Sequence, residues 1–95
     1  MKNKISSILQ TTLEEVIDEE FLLQEIKDKQ EKFEIISNVD SITLVSILVN
    51  LEEEIQDHFD VHITIASERA MSKRGLFSNV ENLANFVVEL VKEQI

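Results

Sequence analysis

Apolar residues recur near the start of the chain at Ile5, Ile8, Leu9, Leu13, Val16 and Ile17, with Gln10, Glu14 and Glu15 between them. Spacings of three and four place that apolar set on one side of a 3.6-residue turn, so the pattern predicts a helix over residues 3–17. Residues 18–39 read differently. Phe21-Leu22-Leu23, Ile26, Phe33 and Ile35-Ile36 alternate with dense charge, and neither a helical nor a strand period is sustained. The expectation there is a long loop pinned by those apolar side chains, with room for one short helical piece. Connections of that length are uncommon and usually functional.

A second helix is expected to begin at Asp40-Ser41, because Asp and Ser are favoured caps and Ile42, Val45, Leu48, Leu51 and Ile55 follow at helical spacing. It should end near Asp57 or His58. A short segment, 66–71, with a cap candidate at Ser67, precedes the break at Ser72-Lys73-Arg74-Gly75. Ser78-Asn79-Val80-Glu81 reads as a capping box that opens the last helix, with Ser78 and Glu81 satisfying each other's exposed backbone amides. Val80, Leu83, Ala84, Val87, Leu90 and Val91 then supply its core face. Three amphipathic helices, one short helix and a long first connection make an all-α fold, a small four-helix bundle forming a single domain over 1–95. A bundle alone says nothing about function.

Composition supports helix and narrows the chemistry. With no Pro and one Gly in 95 residues, the usual hairpin turns are missing. Nine Lys and Arg against 19 Asp and Glu give a formal charge of −10, which repels nucleic acid and anionic membranes and favours basic protein surfaces as partners. No cysteine is present, so disulfides, thiolate metal sites and cysteine nucleophiles are excluded, and any thiol chemistry must be imported. The longest nearly apolar stretch, 42–51, is interrupted by Thr43, Ser46 and Asn50, and Met1-Lys2-Asn3-Lys4 does not lead into a signal-peptide core. A cytoplasmic monomer without membrane insertion is the expectation.

The informative stretch is Asp40-Ser41-Ile42-Thr43-Leu44-Val45-Ser46-Ile47-Leu48-Val49-Asn50-Leu51-Glu52-Glu53-Glu54-Ile55. It resembles the acyl carrier protein family, whose signature is Asp-Ser-Leu at the start of the second helix, followed by an apolar helix ending in a Leu-Glu-Glu-Glu-like run. Ile42 stands where Leu is usual, and Leu51-Glu52-Glu53-Glu54 matches the run's end. The resemblance implies an acyl-carrier-like bundle and a non-catalytic protein. It further implies that Ser41 is esterified by 4'-phosphopantetheine, brought from coenzyme A by a phosphopantetheinyl transferase, with Asp40 and Ile42 beside the attachment point. Asp40 has two readings, as a helix cap and as a holder of metal-bound phosphates in the transferase complex, and both stay open.

No basic residue lies between Lys32 and Arg69, whereas Asp40, Glu52, Glu53, Glu54, Asp57 and Asp60 all do. Enzymes that load and process the acyl group would meet that acidic face with basic docking surfaces, through Val45, Val49, Glu52 and Glu53. Val49 is open between exposed contact and core packing. The family often has acids in the first turns of this helix where this chain has Thr43 and Ser46, so the partners differ from those of the housekeeping fatty-acid carrier. The 63–77 stretch is longer than in that carrier and looks like a specialised bacterial version; its 67–77 part is expected to tune cargo or partner choice. Two rival functions remain: an aminoacyl or polyketide carrier on the same serine, and a cofactor-free acidic helical adaptor.

Other constellations are weak. His58 and His62, with Asp57 and Asp60, have metal-ligand spacing only if the segment is helical. An EF-hand over 57–68 fails, because His62 takes the glycine position. One glycine cannot make a phosphate loop, and no motif places an acid–base pair.

Overall fold

The computed structural model describes residues 1–65 and 74–95. Over these the chain is an all-helical bundle of four helices: α1 (Lys2–Val16), α2 (Glu20–Lys29), α3 (Ser41–Phe59) and α4 (Val80–Gln94). Short 3-10 turns at Gln30–Lys32 and Arg74–Phe77 precede the approaches to α3 and α4. The helices expected from residue 3, from Asp40-Ser41 and before Val80 are all present within a residue or two of their expected limits.

α1 is the centre of the assembly and packs against both α3 and α4. Its stripe Ile5, Ile8, Leu9 and Leu13 is buried, and so is Thr12, whose hydroxyl donates back to the Ile8 carbonyl at 2.9 Å. From α3 come Leu44, Ile47, Leu48, Leu51 and Ile55; from α4 come Val80, Leu83, Ala84, Val87 and Val91. Fully burying side chains of this size contributes about 1.5–3 kcal/mol each.

The connection expected over 18–39 as a loop with room for one short helical piece holds more helix than loop in its first half. Ten of its residues form α2, which buries only Leu22 and Ile26 and pairs Lys29 with Glu25 at 2.8 Å on its outer side. Two buried positions make too narrow a stripe to register as a period, and Glu19 at the cap position makes no side-chain cap bond. The helix stops at Gln30, which takes φ 50°. Phe33 and Ile35 then enter the core, and the backbone at 33–35 pairs with the start of α4: Ile35 N–H donates to Ser78 O at 2.9 Å and Val80 N–H to Phe33 O at 3.0 Å.

That pairing corrects the capping box. Asn79, not Ser78, caps α4, its Oδ1 accepting from the Asn82 amide at 2.8 Å. The Ser78 hydroxyl is turned to the Gly75 carbonyl at 3.1 Å, and Glu81 sits 3.8 Å from Lys2 Nζ instead of reaching back. Phe77 is buried edge-on to Phe86, their ring centres 6.2 Å apart. The short helix expected at 66–71, and with it Met71 and most of the 67–77 segment, lies outside the described residues.

Candidate functional site

The start of α3 is built by one side chain. Asp40 has extended backbone, and its Oδ1 accepts from the Thr43 amide at 2.7 Å while its carbonyl accepts from Leu44 at 2.9 Å. This satisfies a donor that a helix start would otherwise leave unpaired. The hydrogen bond from Thr43 holds the Asp40 carboxyl below the ordinary carboxylate range, with the Ile42 amide adding to the effect. Asp40 is therefore the cap that the sequence suggested and is ionised at neutral pH.

Ser41 is the first residue of the helix and is exposed. Its hydroxyl makes no hydrogen bond to any described residue, so it is neither a cap nor part of a network. The amides of the first turn and the positive end of a 19-residue helix lie beside it, which favours an anion on that oxygen. A cleft of about 210 Å³ adjoins the cap where the end of α1 and the start of α2 approach Val39, Asp40 and Thr43.

Ile42 is 81% exposed, and Val45 and Val49 are each 43% exposed. Positions three and seven residues beyond Ile42 share its side of a helix, so these three form an apolar stripe leading away from Ser41, opposite the buried Leu44, Leu48 and Leu51. The regular spacing of Ile42 and Val45 in the sequence therefore marks the outer face, and Val49 is exposed rather than packed in the core. Glu53, four residues beyond Val49, is exposed and continues the stripe. Glu52 is different: it is half-buried, and its Oε1 accepts from the Ile65 amide.

Other candidates fall away on geometry. His58 lies in the last turn of α3, 3.7 Å from Glu54, while His62 lies beyond the left-handed turn at Asp60, so the two do not share a helical face. Among the described residues no group of three or more His, Asp or Glu side chains could hold a metal ion. A depression of about 830 Å³ that does not include Ser41 is a wide polar groove along α1 and the Gln30–Lys32 turn. Within it Ser6 donates to Glu31 and Gln10 to the Ile26 carbonyl. Among the described residues no helix is long and apolar enough to cross a membrane.

No protein-family model matches the chain, and no curated protein or solved structure matches it.

Proposed function

We propose that this chain is a carrier of acyl groups, non-catalytic in itself, that bears a 4'-phosphopantetheine arm on Ser41 and delivers its cargo to biosynthetic enzymes. The observation that carries the reading is Ser41: an exposed hydroxyl, without a hydrogen bond among the described residues, at the first position of the 19-residue α3, directly after a capping aspartate and before a solvent-exposed Ile42. When bound, the arm supplies the thiol that this cysteine-free chain lacks, on which an acyl group rides as a thioester.

The residues fit that group. Ser41 offers the oxygen for the phosphodiester, and the first-turn amides of α3 offer it a positive field. Asp40 holds the helix start in place through Thr43, so the hydroxyl is presented at a fixed point rather than on a fraying end. Two anions this close repel, so a role for the Asp40 carboxylate during transfer requires a cation between it and the phosphate. Ile42, Val45 and Val49 with Glu53 form the face that a transferase or acyl-processing enzyme would meet, and a partner with a basic surface is drawn to it.

The same face supports a second reading, an acidic adaptor that binds a basic protein without any cofactor. Incubation of the chain with coenzyme A, Mg²⁺ and a broad-specificity phosphopantetheinyl transferase separates the two. The carrier gains the mass of one phosphopantetheine; the adaptor gains nothing.

A further inference from the structure

Between the buried Ile17 and the buried Phe33, the chain is held to the fold more lightly than on either side. Of residues 18–32 only Leu22 and Ile26 are buried. Isolated helices under about 12 residues are marginal in water, so the ten-residue α2 depends on its docking against α1. Two polar side chains of α1, one turn apart, grip it: Gln10 Nε2 donates to the Ile26 carbonyl at 2.9 Å, and the Ser6 hydroxyl donates to Glu31 at 3.3 Å. The bonds from Gln24 to Asp28 and from Lys29 to Glu25 stay within the helix. Neither end of α2 adds support. Glu19 makes no side-chain cap bond, and Gln30 leaves the helix at φ 50°, ψ −117°. Those angles lie outside the regions that suit a residue with a Cβ and are reached readily only by glycine. Such an outlier costs stability and persists only where its surroundings hold it.

The flanks are firmer. Ile17 is buried at the end of α1, and Phe33 and Ile35 are buried and tied to Val80 and Ser78 through the backbone. A segment fixed at both ends and lightly held between them opens as a unit, below the free energy of global unfolding. Leu22 of that segment walls the cleft of about 210 Å³ beside Asp40 and Thr43, whose other apolar walls are Val16, Ile17 and Val39. We propose that α2 is a lid: residues 18–32 undock from α1 together while α1, α3 and α4 stay packed, and the departure of Leu22 opens the cleft next to the start of α3 onto Val16, Ile17 and Val39. Gln10 and Ser6 hold the lid closed, and the backbone at Gln30 favours its release. The motion needs no cofactor, so its failure and a failure to modify Ser41 are separate results.

The test is amide hydrogen exchange by NMR on the full unmodified chain, with and without low denaturant. In the wild type, α2 amides should be about tenfold or more less protected than amides in the middle of α1 and α4. Their exchange should respond little to denaturant, because local opening exposes little surface. Gln10→Ala should raise exchange in α2 about fivefold, the scale of one hydrogen bond, and leave α1 and α4 unchanged. Gln30→Gly should lower it about threefold or more by relieving the backbone. Opening of the cleft is read separately. The chain has no cysteine, so the thiol of an Ile17→Cys variant reports on this wall alone. It should react with a chromogenic disulfide reagent under native conditions, and faster when Gln10→Ala is added. Equal protection and equal denaturant response in α2, α1 and α4 overturn the lid. So does a thiol that reacts only where the whole chain unfolds. Unchanged or faster α2 exchange in Gln30→Gly overturns the part given to Gln30.

Discussion

The starts of α3 and α4 are the same device put to opposite uses. In each, an Asx side chain in extended backbone accepts from the amide three residues on, Asp40 from Thr43 at 2.7 Å and Asn79 from Asn82 at 2.8 Å. The residues that follow diverge. After Asn79 comes Val80, fully buried, with its amide tied to Phe33 and the preceding serine's hydroxyl tied to Gly75. After Asp40 come Ser41 and Ile42, both exposed, the serine without a hydrogen bond among the described residues. One helix start is sealed into the fold, and the other is held rigid yet left open to solvent. A cap that only stabilises a helix needs no such opening, which is why the α3 start is the place to look for chemistry.

The sharpest way to break the comparison is to truncate the first apolar side chain of each helix. Val80→Ala should cost about 2 kcal/mol of stability, because it removes buried methyl groups and leaves a cavity. Ile42→Ala should change stability by about 0.5 kcal/mol or less, as for exposed positions generally. Denaturant unfolding of both variants checks this, and similar losses would mean that Ile42 is packed in solution. At the caps themselves, Asn79→Ala should cost about 1 kcal/mol. The Asp40→Ala variant should lose stability in the same direction.

The exposed stripe makes a smaller, kinetic prediction. Glu53→Lys should slow modification of Ser41 by the transferase several-fold with the melting temperature unchanged, and added salt should slow the wild type in the same sense. Charge reversal at Glu52 is a poorer probe, since that carboxylate also accepts from the Ile65 amide. Insensitivity of the rate to both Glu53→Lys and salt would put docking elsewhere.

The smallest effect distinguishes the caps by pH. The hydrogen bond from Thr43 lowers the Asp40 pKa in the folded chain, so its contribution to stability is fully present above the unfolded value of about 4 and is lost as pH falls through the lower folded value. Asn79 does not titrate. Asp40→Asn should therefore flatten part of the acid limb of a stability–pH curve, and an unaltered acid limb would show that the Asp40 bond is not maintained in solution.

These contrasts also show what local pattern reveals. Helices α1, α3 and α4 carry buried residues at helical spacing over about two to three turns, and Asp40 is a cap whose partner lies three residues away, so both were legible. α2 was legible only as room for one short helical piece, because two buried residues among charges leave no period that places it. The α4 cap was misplaced by one residue for a long-range reason: Ser78 and Asn79 are both good caps, and the choice is made by pairing with Phe33 and Ile35, more than forty residues earlier. Glu52 reads as one acid in a run of three, and only the return of the chain to Ile65 gives it a different role.

The central claim, that the open helix start is a modification site and the sealed one is not, is tested most directly by intact-mass measurement of three chains after incubation with coenzyme A, Mg²⁺ and the transferase. Wild type and Ser78→Ala should each gain the mass of one phosphopantetheine, and Ser41→Ala should gain none. Modification of Ser41→Ala, or no modification of the folded wild type, would contradict the account.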